Sequence, residues 1–101
     1  MSGVLDIEPV GDDRLRVSGR VDVANARDAM KRGRMAAKPG VRMHVDVGAL
    51  ASADSVTLAV LLEWAAHARR RGGAFIFDAV PHRLRAIAHL SDVEDLMGLP
   101  A

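Results

Sequence analysis

The stretch from residue 41 to residue 80 restricts the fold more than any other part of the chain. VRMHVDV at 41–47 alternates Val41, Met43, Val45 and Val47 against Arg42, His44 and Asp46, the period of a half-buried strand. AFIFDAV at 74–80 reads as a short buried strand. Residues 55–71, between them, carry apolar side chains at helical spacing. At about 100° per residue, Leu58, Leu61, Leu62 and Ala65 gather on one face. A strand, a helix and a second strand in this order ask for parallel pairing with a right-handed crossover.

The flanking segments extend the pattern. VLDIEPV at 4–10 reads as a short strand, with Pro9 marking an edge or a strand end. Gly11-Asp12-Asp13 is a turn signal, and RLRVSGR at 14–20 alternates Leu15 and Val17 against Arg14, Arg16 and Ser18, so the two strands form a hairpin. Asp22 is placed to cap a first helix over residues 23–37, with Val23, Ala26 and Met30 on one face. Gly33 weakens that helix by about 1 kcal/mol relative to Ala, and Pro39-Gly40 ends it. Residues 48–54 read as a loop of small residues around Leu50. Arg69, Arg70 and Arg71 suit the negative end of the second helix, and Gly72-Gly73 stops it. Pro81 opens a third helix with Leu84, Ile87 and Ala88 inward, and Val93, Leu96 and Met97 suggest a last helical turn. The expectation is an α/β fold, one domain of order β-β-α-β-α-β-α, with a four-stranded mixed sheet and helices on one face.

Composition narrows the function. At 101 residues the chain suits a single domain, and with half its residues hydrophobic and 27% charged it is ordinary globular material. A formal net charge of +1 argues against nucleic acid as a partner. The only aromatics, Trp64, Phe75 and Phe77, offer no stacking platform. There is no cysteine, so no disulfide, thiolate metal site or thiol nucleophile. No apolar run approaches the roughly 20 residues of a membrane span, and MSGVLD lacks the basic start and apolar block of a signal peptide. A cytosolic location is expected.

Chemistry-bearing constellations are missing. His44, His67, His82 and His89 are scattered and form no close ligand pattern, which points to surface histidines and no metal. Phosphate-loop, dinucleotide and nucleophile-elbow motifs are absent. No enzyme and no cofactor are expected.

ASADSVTLAVLLEW at 51–64 is the segment that invites a function. Asp54 and Ser55 stand where small loop residues give way to the apolar helix. A helix N-cap accounts for them structurally, since an Asp or Ser oxygen there accepts an orphan amide and is worth about 1 kcal/mol. The same place is the positive end of a helix dipole, where a phosphate on Ser55 is electrostatically favoured and adds charge enough to break a fitted interface. Val56, Val60 and His67 lie roughly opposite the expected core face, with Trp64 at its border. That stripe is either ordinary surface and core edge, or a docking face for a partner.

Val45-Asp46-Val47, a short loop, and Asp54-Ser55-x-x-Leu58 leading an apolar helix together resemble the STAS domain family, which includes anti-sigma factor antagonists and transporter subunits. The resemblance covers residues 4–97. It equates Asp46 with the family's strand aspartate, Asp54 with its motif aspartate and Ser55 with the hydroxyl phosphorylated in sigma-regulating members. Thr57 replaces the family's usual glycine and implies a bulkier surface at the helix start. LLEW, the basic helix end, PHRLRAIA and VEDL are most similar to the STAS subunit of the Mla phospholipid-transport ABC system. That resemblance implies a non-enzymatic subunit, cytoplasmic and peripheral to the inner membrane, that binds the transporter's ATPase in support of outer-membrane lipid asymmetry. Its interface would be built on Asp54, Ser55, Val56, Thr57, Val60 and Trp64. The other reading is an anti-sigma factor antagonist that captures an anti-sigma factor kinase and is switched by phosphorylation of Ser55.

Overall fold

In the computed structural model, which describes residues 5–97, the elements form in the expected order. They are β1 (Asp6–Gly11), β2 (Arg14–Gly19), α1 (Ala26–Ala36), β3 (Arg42–Leu50), α2 (Ser55–Arg70), β4 (Ala74–Asp78) and α3 (His82–Leu90), followed by a 3-10 turn (Asp95–Met97). Val4, expected to begin the first strand, lies outside the described residues.

The sheet order is β1-β2-β3-β4. β1 pairs antiparallel with β2, as a tight hairpin requires, and the β2–β3 and β3–β4 pairs are parallel. Both crossovers advance across the sheet in the same direction, so right-handedness puts their helices on the same face. That face is buried: Leu15, Val17, Met43, Val45, Val47, Phe75 and Phe77 all point into the core. The alternate residues Arg14, Arg16, Arg42, His44 and Asp46 stay on the opposite, wetter face, where Arg16 meets Glu8 at 4.0 Å and His44 Nδ1 lies 2.9 Å from Asp78 Oδ2.

Three boundaries differ from the sequence reading, each for a local reason. β3 continues to Leu50 instead of ending in a loop at residue 48. The ladder survives because Arg16 pairs with Asp46 while Ser18 pairs with Ala49, so β3 carries one extra residue in a bulge. Asp46 Oδ1 accepts the Gly48 amide at 2.9 Å and steadies that irregularity. β4 stops at Asp78 because Ala79 adopts a left-handed φ of 57°. α1 begins at Ala26, not Val23. Asp22 does not cap it; Asp22 and Asn25 exchange amide-to-carboxyl and amide-to-carboxamide bonds of 2.9 Å each and close a turn ahead of the helix. Val23 is consequently 83% exposed, and the buried positions of α1 are Ala29 and Gly33.

The α1–α2 contact explains Gly33. A Cβ built on it would stand 2.0 Å from Trp64 Cε2 and Nε1, so the indole occupies the space a side chain would need. Trp64 Nε1 donates to the Ala29 carbonyl at 3.0 Å. Its ring meets Phe75 edge-on, with centroids 6.5 Å apart, and Phe75 meets Phe77 the same way at 6.2 Å. We expect Gly33→Ala to lower stability by about 1–3 kcal/mol in urea denaturation, since overpacking outweighs the helix-propensity gain of about 1 kcal/mol. A stabilised variant would show that α1 can move off Trp64 at no cost.

Candidate functional site

The segment from Ala51 to Thr57 links the carboxyl end of β3 to the amino end of α2, and its polar groups divide into an internal set and an external one. Asp54 is the N-cap of α2, in extended conformation, with Oδ1 accepting the Thr57 amide at 2.9 Å. Thr57 Oγ1 lies 2.8 Å from Asp54 Oδ1 and 2.8 Å from Ser52 Oγ. A carboxylate only accepts, so the single Thr57 hydroxyl proton goes to Asp54 and leaves the threonine oxygen to accept from Ser52. Ser52 Oγ in turn accepts the Val21 amide at 2.8 Å. This chain of bonds ties the residues after β2 to the start of α2 through two buried hydroxyls. Among the described residues no buried side-chain polar atom lacks a partner.

The Thr57 amide, and then its hydroxyl, hold the Asp54 carboxyl below its ordinary pKa, with lesser help from the Asp54 and Val56 amides and against a small desolvation effect. A depressed pKa means that the ionised cap stabilises the fold above the unfolded-state value of about 3.9. That stability is lost as pH falls through the folded-state value.

Ser55 is the first residue of α2, and because Asp54 takes the cap, the Ser55 hydroxyl makes no hydrogen bond among the described residues. The side chain is exposed. Val56 is half-buried.

The rest of the expected docking stripe is corrected by burial. Thr57 and Val60 are 0% exposed and Trp64 is 1% exposed. α2 is covered by α1 as well as by the sheet, so its buried arc is wider than the expected face: Leu58, Leu61 and Ala65 are buried, and Thr57, Val60, Trp64 and Ala68 join them. Thr57 therefore does not enlarge the surface. The outward face of α2 is Ser55, Ala59, Leu62 and Ala66, with Leu62 and Ala66 partly covered. Glu63 flanks it and bridges Arg34 at 3.6 Å and Arg70 at 3.3 Å. Small residues at 55, 59 and 66, around Leu62, were the available sequence signal for this face. Ser52, a lone hydroxyl between alanines, was the signal for the internal network.

Beside Ser55 a groove of about 600 Å³ opens between this loop and the first turns of α3. Among the described residues no three His, Cys, Asp or Glu side chains converge to hold a metal, and no helix is long and apolar enough to cross a membrane.

Two stability tests follow from the network. Thr57→Val, which keeps the shape and removes the hydroxyl, is expected to cost about 1–3 kcal/mol in urea denaturation. Asp54→Ala is expected to cost about 1 kcal/mol at pH 7, with the gap from wild type shrinking as both are measured below about pH 4. A gap unchanged at pH 3 would place the benefit of Asp54 outside its charge.

Comparison with known proteins bears on the family and the fold. The family model described as the MlaB-type STAS domain matches residues 6–99. Comparison with curated protein sequences gives no match. Among solved structures, a chain of the Acinetobacter MlaFEDB complex in an ATP-bound conformation is similar, with a TM-score of 0.76 and 23% identity. The match covers 88% of this chain and 95% of that one.

Proposed function

The chain belongs to the MlaB-type STAS domain family, and from that premise we propose that it is a non-enzymatic accessory subunit of a phospholipid-transporting ABC complex. It docks on the ATPase subunit at the cytoplasmic side and reaches the membrane only through that partner. The observation that carries this reading is the family match, which runs through nearly the whole chain, from residue 6 to residue 99. The similar fold found within the Acinetobacter transporter complex agrees with it.

The interface of this proposal starts at Asp54 and Ser55, includes the exposed part of Val56, and continues along Ala59, Leu62 and Ala66. The small side chains of Ser55, Ala59 and Ala66 let a partner approach closely around Leu62, and the Asp54 cap holds the start of the helix that carries them. Thr57, Val60 and Trp64 contribute from inside, by holding α2 at its angle. The second reading, an anti-sigma factor antagonist switched by a kinase, draws its support from the free Ser55 hydroxyl. A phosphate there would add up to about two negative charges at the start of the face.

Affinity capture from cytosol and detergent-solubilised membrane, with wild-type, Ser55→Asp and Ala59→Arg baits, tests the proposal. An ABC-type ATPase is expected on the wild type. Both variants should lose it at least about tenfold, or 1.4 kcal/mol, with unchanged thermal unfolding. Equal capture by all three baits overturns the docking face. A histidine-kinase-like protein together with phosphate on Ser55 selects the sigma-regulatory reading.

A further inference from the structure

We propose that the groove between the β3–α2 loop and α3 receives a short acidic segment of the partner polypeptide, one that carries an apolar residue beside its carboxylates. The proposal rests on the docking reading above and names the chemistry of the partner at that end of the interface.

The first observation is charge. Arg20 enters the groove from the end of β2, and His82 and Arg83 enter from the first turn of α3. All three are exposed. Some cations of the domain have acidic partners: Arg16 has Glu8, and Arg34 and Arg70 share Glu63. Arg32 and Arg69 donate to the Leu5 and Leu96 carbonyls. Among the described residues the side chains of Arg20, His82 and Arg83 have no such partner. Arg20 is engaged only through its backbone carbonyl, by Asn25. Asp54 is the one acidic residue in the lining, and its Oδ1 is committed to Thr57. The groove wall therefore carries two exposed arginines, Arg20 and Arg83, against the single carboxylate of Asp54.

The second observation is shape. The groove is open to solvent along its length and not an enclosed cavity, which suits a segment of chain better than a small molecule sealed from water. Its lining also includes the apolar residues Ala53, Ala86 and Ile87, which match an apolar side chain set between flanking acids. The third observation is continuity. Asp54 and Ser55 belong both to the groove wall and to the start of the outward face of α2, so a partner covering that face reaches the groove without a gap.

The test is an NMR titration of the 15N-labelled full chain at low ionic strength. The probes are the capped peptide Asp-Glu-Leu-Glu-Asp, its counterpart Lys-Arg-Leu-Arg-Lys, and inorganic phosphate. The acidic peptide is expected to shift the amides of residues 51–55 and 82–87. Its binding should weaken about tenfold in Arg20→Gln/Arg83→Gln and fall at 0.5 M salt, where exposed charges are screened. The basic peptide should leave those amides unmoved. No shift with the acidic peptide, or equal shifts from phosphate at equal affinity, overturns the proposal. Both substituted arginines are exposed, and preserved amide dispersion verifies the fold. In the capture experiment, Arg20→Gln/Arg83→Gln bait that retains the ATPase fully overturns the groove and leaves the docking face standing. Peptide binding by a chain that captures no ABC-type ATPase overturns the docking reading alone.

Discussion

The closeness of α1 to α2 governs the domain, and Trp64 sets it. The indole lies in the space vacated by the missing side chain of Gly33, donates to a carbonyl of α1, and continues through two edge-on aromatic contacts into β4. One side chain thus joins both crossover helices and the sheet. A carbonyl has two lone pairs, so Ala29 accepts the indole without leaving its helix. With that contact fixed, the rotation of α2 about its axis is fixed, and so is the set of residues it turns outward.

The start of α2 shows how a small domain separates holding a helix from presenting it. Asp54 does the capping, Thr57 and Ser52 relay the cap to the backbone at Val21, and Ser55 is left with its hydroxyl in solvent. Threonine at the position where the family pattern has glycine is accommodated because its side chain turns inward. Its hydroxyl is used within the fold and adds nothing to the surface a partner meets.

The architecture was legible in the sequence because period and punctuation agreed. Alternation at 14–18 and 41–47, the helical spacing after Ser55 and the Gly72-Gly73 stop specify the elements and, through crossover handedness, the layering. Asp54 as a cap was legible from its place before an apolar helix. The facing of α2 was legible in part. Leu58, Leu61 and Ala65 are buried as their spacing implies, and Leu62 is partly covered. The extension of that face to Thr57, Val60, Trp64 and Ala68 accompanies the packing of α1 on α2, a tertiary fact that no local period encodes. Gly33 was misleading for the same reason: as a helix residue it is a weakness, and as the seat of an indole it is a requirement. Val23 was assigned inward by spacing because the reciprocal Asp22–Asn25 turn, which delays the helix, leaves no periodic trace.

The bulge in β3 has a further consequence. Along that strand the inward residues are Met43, Val45 and Val47, and the next is Leu50. Burial therefore skips a beat: the strand changes phase once, between Val47 and Leu50, and is then back in step with the core. The short tether from Leu50 to Asp54 is cut to match that shifted phase. Removing Gly48 or Ala49 would restore simple alternation and keep Leu50 inward, two residues after Val47, but would shorten the path from Val47 to Ser52, whose hydroxyl accepts the Val21 amide. An irregularity in a ladder thus acts as the length standard that positions the presenting end of α2.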